Sequence, residues 1–518
     1  MKAAGDRHVV VVGAGAGGLA AAADLASQGV GVTVVEAAAA PGGKIRQVPV
    51  GGRMIDAGPT VFTMRWVFDG LFDRAGASLD DHLTVRKADI LARHAWEQGG
   101  MLDLHADVDD SAAAIEALAG TGNAEGFRAF VDRAADIYRT LTPTFMAAER
   151  PSPTDLARRV GFGNLNALMR TAPFSTLWQA LAEHFDDPRL RQLFGRYATY
   201  VGSSPLKAPA TLMLIAYVEQ EGVWLVDGGM HAVARAVATL AQSQGAQLRY
   251  GATAARIDTR GGRASGVTLA TGETLAADAV IFNGDVSALG QSLLGPAVAK
   301  AAPVMERSER GLSAITWAAL AQARGVDLHH HNVFFSRDYE DEFAAVFDRR
   351  SITDRPTVYL CAQDRGLGHS PATGVGAGPE RMLMLVNAPP DGDHGGPDAA
   401  TVERAERDLH ALLGECGLSL DIEQQMRTTP ADFDALFPAT GGALYGRAAA
   451  GGFATFDRPG ARSRVPGLYC CGGSVHPGPG VPMATLSGRL AAARLLGDWA
   501  GGRAARKAVA VANPVSGG

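Results

Sequence analysis

The glycines at 13, 15 and 18 have the spacing Gly-x-Gly-x-x-Gly, inside "HVVVVGAGAGGLAAAADLASQGVGVTVVEAAAAPGGK". A turn built this way brings backbone N–H groups against a pyrophosphate, an approach that side chains would block. Gly13 permits the turn, Gly15 the close approach, and Gly18 the packing of the following helix on the strand. Ala14, Ala16 and Gly17 complete the floor, and the free N–H groups and positive dipole at the helix start favour phosphate. Glu36 follows about 20 residues later, where a carboxylate accepts ribose hydroxyls. A 2′-phosphate would be repelled there, which disfavours NADP.

A second stretch with chemical content is "LYCCGGSVHPGPGVPMATLSGR", Leu468 to Arg489. Gly472 and Gly473 end a short apolar strand, and Val481, Pro482 and Met483 open a helix whose N-terminal N–H groups can face an electron-rich ring edge. His476 is the one titratable group in the loop between them. It is a candidate proton acceptor, and the competing reading is a hydrogen bond that fixes the loop. His329-His330-His331 are consecutive residues of an expected surface loop and cannot all face one ion, so no metal is expected. Cys361, Cys416, Cys470 and Cys471 have no Cys-x-x-Cys spacing, which points to a reducing compartment.

These residues need elements to hold them. His8 to Val12 reads as a buried strand, the alanine-rich segment as a helix, and Val32 to Val35 as a second strand ending at Glu36, together one βαβ unit. Lys2 and Arg7 before the uncharged run Val9 to Ala23 imitate a secretory signal, but the glycine pattern explains that run better. A chain of 518 residues exceeds the size at which a single core stops growing, so two domains are expected. The net charge of -6 argues against a nucleic-acid partner. No other run reaches the roughly 20 apolar residues of a transmembrane helix.

Immediately downstream, "APGGKIRQ" (40–47) and "MIDAGPTVF" (54–62) resemble flavoproteins of the glutathione-reductase and amine-oxidase type. The resemblance implies an α/β, two-domain fold with a discontinuous Rossmann-like FAD domain and a mixed α+β substrate domain. Gly42, Gly43 and Lys44 match the turn that passes along FAD. Asp56, Gly58 and Pro59, with Thr60 next, match the segment leading to the flavin ring. A later segment reads as a Gly228-Gly229 turn approaching the flavin side and a helix from about His231. A strand Gln247 to Ile257, a hairpin through Gly261-Gly262 and a strand Ala279 to Phe282 follow, with Ala254 expected against the adenine. The FAD domain is thus expected over 1–70, 222–300 and 460–502, and the substrate domain over 71–221 and 301–459, with 503–518 a disordered tail. No second Gly-x-Gly-x-x-Gly unit follows a strand, so the flavin's electrons would leave to oxygen or a quinone.

"TYVGSSPLKAPATLMLIAYVEQEGVWLVDGGMHAVARAV" (199–237), "TTPADFDALFPATGGALYG" (428–446) and the stretch around His476 are similar to bacterial carotenoid desaturases of the phytoene-desaturase type. Within that family they resemble the hydroxyneurosporene or methoxyneurosporene desaturase branch. This resemblance implies an acyclic C40 carotenoid substrate carrying a 1-hydroxy or 1-methoxy group, and a product with a new C-3,4 double bond. Phytoene desaturases, polyene isomerases or saturases, and a non-catalytic isoprenoid binder are alternatives on the same motifs. The flavin itself would be the catalyst. The apolar stripe of Phe162, Leu165, Leu168, Met169, Phe174, Leu177, Trp178, Leu181 and Phe185 has helical spacing around Pro173. It reads as core, with a tunnel wall or a shallow membrane-seated patch as the functional alternative. The expected location is the cytoplasmic side of the inner or photosynthetic membrane, in peripheral contact with it.

Overall fold

A computed structural model describes residues 6–161, 175–366, 378–451 and 454–501. Its first strand, β1 (His8–Val12), carries four consecutive valines, and Val9, Val10 and Val11 have no exposed surface. Such a β-branched run without alternation is what a strand covered on both faces requires. The helix α1 (Ala16–Ala26) is buried along nearly its whole length. Its alanines and glycines leave room for neighbours on several sides at once.

The strands β2 (Gly31–Val35), β3 (Gln247–Arg249), β4 (Ala279–Phe282) and β5 (Leu468–Cys470) complete a five-stranded parallel sheet in the order β3-β2-β1-β4-β5. Pieces from the start, middle and end of the chain therefore share one sheet. The expected strand Gln247 to Ile257 is interrupted. After β3, Gly251 takes a positive φ, and the N–H groups of Gly251 and Ala252 donate to Ala38 and Glu36 carbonyls. The chain then leaves the parallel sheet and enters an antiparallel hairpin of Ala254–Arg260 with Arg263–Leu269, turned by Gly261-Gly262. Both turn glycines have positive φ, as a tight two-residue hairpin demands.

Two further helices, α2 (Met230–Ser243) and α3 (Val481–Trp499), pack against α1. The crossing with α3 is possible because of glycine. A Cβ on Gly488 would lie 1.9 Å from the Gly17 carbonyl oxygen, and one on Gly18 would lie 2.1 Å from that of Gly13. The same crossing buries an ion pair, Arg489 Nε to Asp24 Oδ2 at 3.3 Å, with 3% and 6% of the side chains exposed. Burial raises the Asp24 pKa and lowers that of Arg489, and their mutual attraction opposes both shifts.

A second, seven-stranded sheet runs in the order 418–428, 313–325, 380–388, 358–362, 331–335, 90–96, 101–105. The helix Ala399–Glu415 packs against it through Leu409 and Leu412. Helices Val108–Ala119 and Thr121–Leu141 add a separate helical layer. Of the apolar stripe, Leu177, Leu181 and Phe185 are core residues, in and just after a helix capped by Thr176 and Gln179. The stripe's members from Phe162 to Phe174, and the 503–518 tail, lie outside the described residues. Among the described residues no helix is long and apolar enough to cross a membrane.

Candidate functional site

One cavity of about 830 Å³ opens between the ends of the parallel sheet and the second sheet. Gly13, Gly15, Ala16, Gly17 and Glu36 line it from the first βαβ unit. Gly43, Lys44, Gly58, Pro59, Thr60 and Ala254 line it from the segments that follow, and Gly472, Gly473, Val481, Pro482 and Met483 from the end of the chain. Separately predicted stretches thus converge on one space. Ala14 and Gly18 lie behind this surface. The Ala14 N–H donates to Glu36 Oε2 at 2.6 Å, and Glu36 Oε1 accepts the Ala38 N–H at 2.8 Å, so Glu36 is oriented by backbone from both sides.

Asn283, directly after β4, lines the same space beside these glycines. Its Nδ2 donates to the Gly13 carbonyl at 3.2 Å, and a Cβ on Gly15 or Gly17 would come within 2.9 or 2.7 Å of its amide. The glycines are therefore required by packing against Asn283 as well as by any ligand in the cavity. Ser487 of α3 accepts the Gly472 N–H at 3.2 Å and ties the closing loop to the helix. This backbone-lined floor, a glutamate at the end of β2 and a helix start at each glycine turn fit an FAD pyrophosphate and ribose.

Two buried cations border the space. Lys44 Nζ donates to the Leu444 carbonyl at 2.6 Å; burial lowers its pKa, and nearby Asp285 opposes this. Arg458 donates to the carbonyls of Tyr445, Gly473 and Arg447 at 3.1, 3.1 and 2.6 Å, tying the loop of residues 445–447 to the one at Gly473. Burial pushes its pKa down to about 10, so it stays cationic at neutral pH.

His476 does not line the cavity, although Pro477, Gly478 and Pro479 do. Its side chain is buried, and Nε2 lies 2.9 Å from both the Phe145 and Ala148 carbonyls. Carbonyls only accept, so Nε2 carries the proton and donates. Burial pushes the pKa down to about 4. The imidazole is neutral and engaged as a loop anchor, the arrangement of the non-catalytic reading. Gly228-Gly229 do not reach the cavity either. Gly229 makes room for Asp56, whose carboxylate accepts the Met230 and His231 N–H groups at 2.6 and 3.4 Å and caps α2.

The histidine triplet corrects a second expectation. His331 begins a buried strand and His330 is largely covered; their ligand atoms lie within 4.8 Å of one another and of Cys361 Sγ. Burial against an apolar strand outweighed the loop-like appearance of three polar residues in a row. Both Nδ1 atoms have partners, the Arg365 carbonyl at 2.9 Å for His330 and the Tyr359 hydroxyl at 2.7 Å for His331. That Tyr359 hydroxyl also meets Thr60 Oγ1 at 2.6 Å.

The rest of the lining is largely apolar, with Leu141, Met146, Leu212, Ile215, Val218 and Leu385 among it, and it holds a few polar groups that no spacing motif announced. Glu219 accepts hydroxyl hydrogen bonds from Tyr197 and Tyr200, both at 2.8 Å. Burial raises its pKa, and these bonds and Arg196 oppose the rise. Arg196 lies over the rings of Tyr200 and Tyr359, at 5.2 and 5.4 Å from the ring centres. An arginine amid "LFGRYATYVG" is the single clue in the sequence, visible only as a charge in an apolar and aromatic segment.

The family model for flavin containing amine oxidoreductases matches residues 16–496. The chain belongs to this family. It is 51% identical to the hydroxyneurosporene desaturase of Rubrivivax gelatinosus, over 94% of this chain and 93% of that protein. Identity is 46% to the hydroxyneurosporene desaturase of Cereibacter sphaeroides, covering 95% and 98%. It is 30% to the 1-hydroxycarotenoid 3,4-desaturase of a Flavobacterium species, covering 94% and 98%. Putrescine oxidase with putrescine bound has the same fold, with a TM-score of 0.59 and 16% identity over 95% of this chain and 99% of that one. The expected flavoprotein fold and family are thereby borne out.

Proposed function

We propose that this protein is an FAD-dependent desaturase of acyclic C40 carotenoids that introduces the C-3,4 double bond into 1-hydroxy or 1-methoxy substrates. One observation carries the reading: a single cavity is lined by the glycine turns of a dinucleotide site and by an extended apolar wall. Similarity to proteins named for hydroxyneurosporene and for 3,4-desaturation supports the substrate class and the bond. Residues 1–70, 222–300 and 460–502 serve as the FAD domain, and 71–221 and 301–459 as the substrate domain.

Bound FAD supplies an acceptor for the hydride removed from a saturated CH2–CH2 unit. The chain's own part is positioning. Gly13, Gly15, Gly17 and the start of α1 would offer N–H groups to the pyrophosphate, Glu36 would accept the ribose hydroxyls, and Ala254 would meet the adenine. Gly43, Lys44, Gly58, Pro59 and Thr60, with Gly472, Gly473 and the start of α3, would hold the ring. Leu212, Ile215 and Leu385 hold a polyene in register and keep water from the reacting bond. Oxygen or a quinone takes the electrons away. Peripheral contact with the cytoplasmic face of the inner or photosynthetic membrane delivers the apolar substrate, a reading supported by the exposed Leu293 and Leu436 at the cavity's edge.

The test is product analysis in a strain that accumulates acyclic carotenoids, with this chain as the one added desaturase. Conversion of 1-hydroxy carotenoids to 3,4-didehydro products is expected. Lycopene formed from phytoene would overturn the choice of bond and substrate.

A further inference from the structure

Arg196 is a cation with Glu219 nearby but no carboxylate in direct contact. Its guanidinium has five N–H donors and no acceptor, yet it makes one hydrogen bond, from Nη1 to the Tyr200 hydroxyl at 3.2 Å. Among the described residues no carboxylate forms an ion pair with it. The neighbouring Glu219 has its two oxygens engaged by Tyr197 and Tyr200. None of the Arg196 nitrogens is sealed in the packing without a partner, and the residue lines the cavity. Unused donors therefore face a largely apolar cavity. A guanidinium with most of its donors unused is costly there, and one hydroxyl and two tyrosine rings offset only part of that cost.

We infer that Arg196 binds the oxygen on C1 of the carotenoid and so sets both the choice of substrate and the position of desaturation. The inference rests on the proposed function, and three features of the site support it. A guanidinium only donates, and a hydroxyl and a methoxy oxygen can both accept from it, which accounts for one site serving both end groups. The C3 and C4 carbons lie within three bonds of C1, at most about 4 Å away for ordinary single bonds. The group that reads the oxygen must accordingly sit close to the flavin ring. Arg196 meets this requirement: it stacks on Tyr359, whose hydroxyl is 2.6 Å from Thr60, in the segment assigned to the ring.

The experiment measures binding and turnover of 1-hydroxyneurosporene, its 1-methoxy ether and neurosporene by the flavin-loaded parent and by Arg196→Met and Arg196→Lys variants. Binding is read from perturbation of the flavin spectrum. The parent is expected to bind both oxygenated carotenoids about 10- to 100-fold tighter than neurosporene, the worth of one hydrogen bond to a charged group. Arg196→Met is expected to erase that ratio and Arg196→Lys to keep part of it. Equal binding of the three carotenoids by the parent would overturn the inference, and this arm requires no variant to fold. A preference that survives in Arg196→Met would overturn it too. Parent that binds with the expected preference but turns over none of the three would instead refute the proposed function.

Discussion

His476 gives the sharpest separation between a chemical and an architectural role. Its Nε2–H is shared between the buried Phe145 carbonyl and the partly buried Ala148 carbonyl, 2.9 Å from each. Replacing it with leucine leaves both carbonyls without that donor, a net loss of about 1 to 3 kcal/mol. Glutamine retains an amide donor of similar reach. His476→Gln should therefore keep turnover within about tenfold of the parent, whereas loss of a general base costs about 100- to 10,000-fold. The acid dependence follows from burial. The ring's pKa is pushed from 6.5 to about 4 in the folded chain. The unfolded chain thus takes up a proton at higher pH than the folded one, and stability present above pH 6.5 is lost as the pH falls towards 4. The difference is worth about 3 kcal/mol. Thermal melting between pH 7 and pH 4, with flavin content and turnover measured in parallel, checks both points. A correctly folded, flavin-loaded His476→Gln protein with no turnover, or an unchanged acid dependence in it, would refute the reasoning.

Arg489→Met should destabilise the fold by about 1 to 3 kcal/mol, because it leaves the buried Asp24 carboxylate with Arg74, 3.7 Å away, as its remaining cation; chemical denaturation of the holoenzyme reads this. Gly18→Val should abolish flavin retention and folding together, since even a Cβ would lie 2.1 Å from the Gly13 carbonyl oxygen; soluble yield and the flavin absorbance spectrum report it. Glu36→Ala removes an acceptor oriented by two backbone N–H groups. It should weaken FAD binding by about tenfold or more, the worth of a charged hydrogen bond, which titration of the apoprotein measures.

What the sequence made legible was whatever depends on backbone geometry. Gly13, Gly15 and Gly18 declare a turn and a packing distance because only glycine satisfies them. Their meaning survives without knowing what lies opposite, although Asn283, which crowds Gly15 and Gly17, gives no sign of its role in its own neighbourhood. The parallel sheet was legible in the same way, from apolar runs bounded by glycine. The break after β3 was not, because Ala252 and Gly251 leave the sheet for long-range bonds to Glu36 and Ala38. Polar groups of the cavity were the least legible. Arg196 and Glu219 come from two nearby helical segments and Tyr359 from a strand more than 100 residues later, and their relation exists only once those helices meet the second sheet. His476 misled for the opposite reason. Its loop reaches the cavity, but which side of the loop the ring takes is decided by the carbonyls of Phe145 and Ala148, more than 300 residues earlier.

The most direct test of the central claim is anaerobic mixing of the flavin-loaded protein with 1-hydroxyneurosporene, followed by absorbance and mass analysis. The account predicts bleaching of the flavin and a carotenoid two hydrogens lighter, with the new double bond at C-3,4. A carotenoid of unchanged mass beside an unbleached flavin would contradict it.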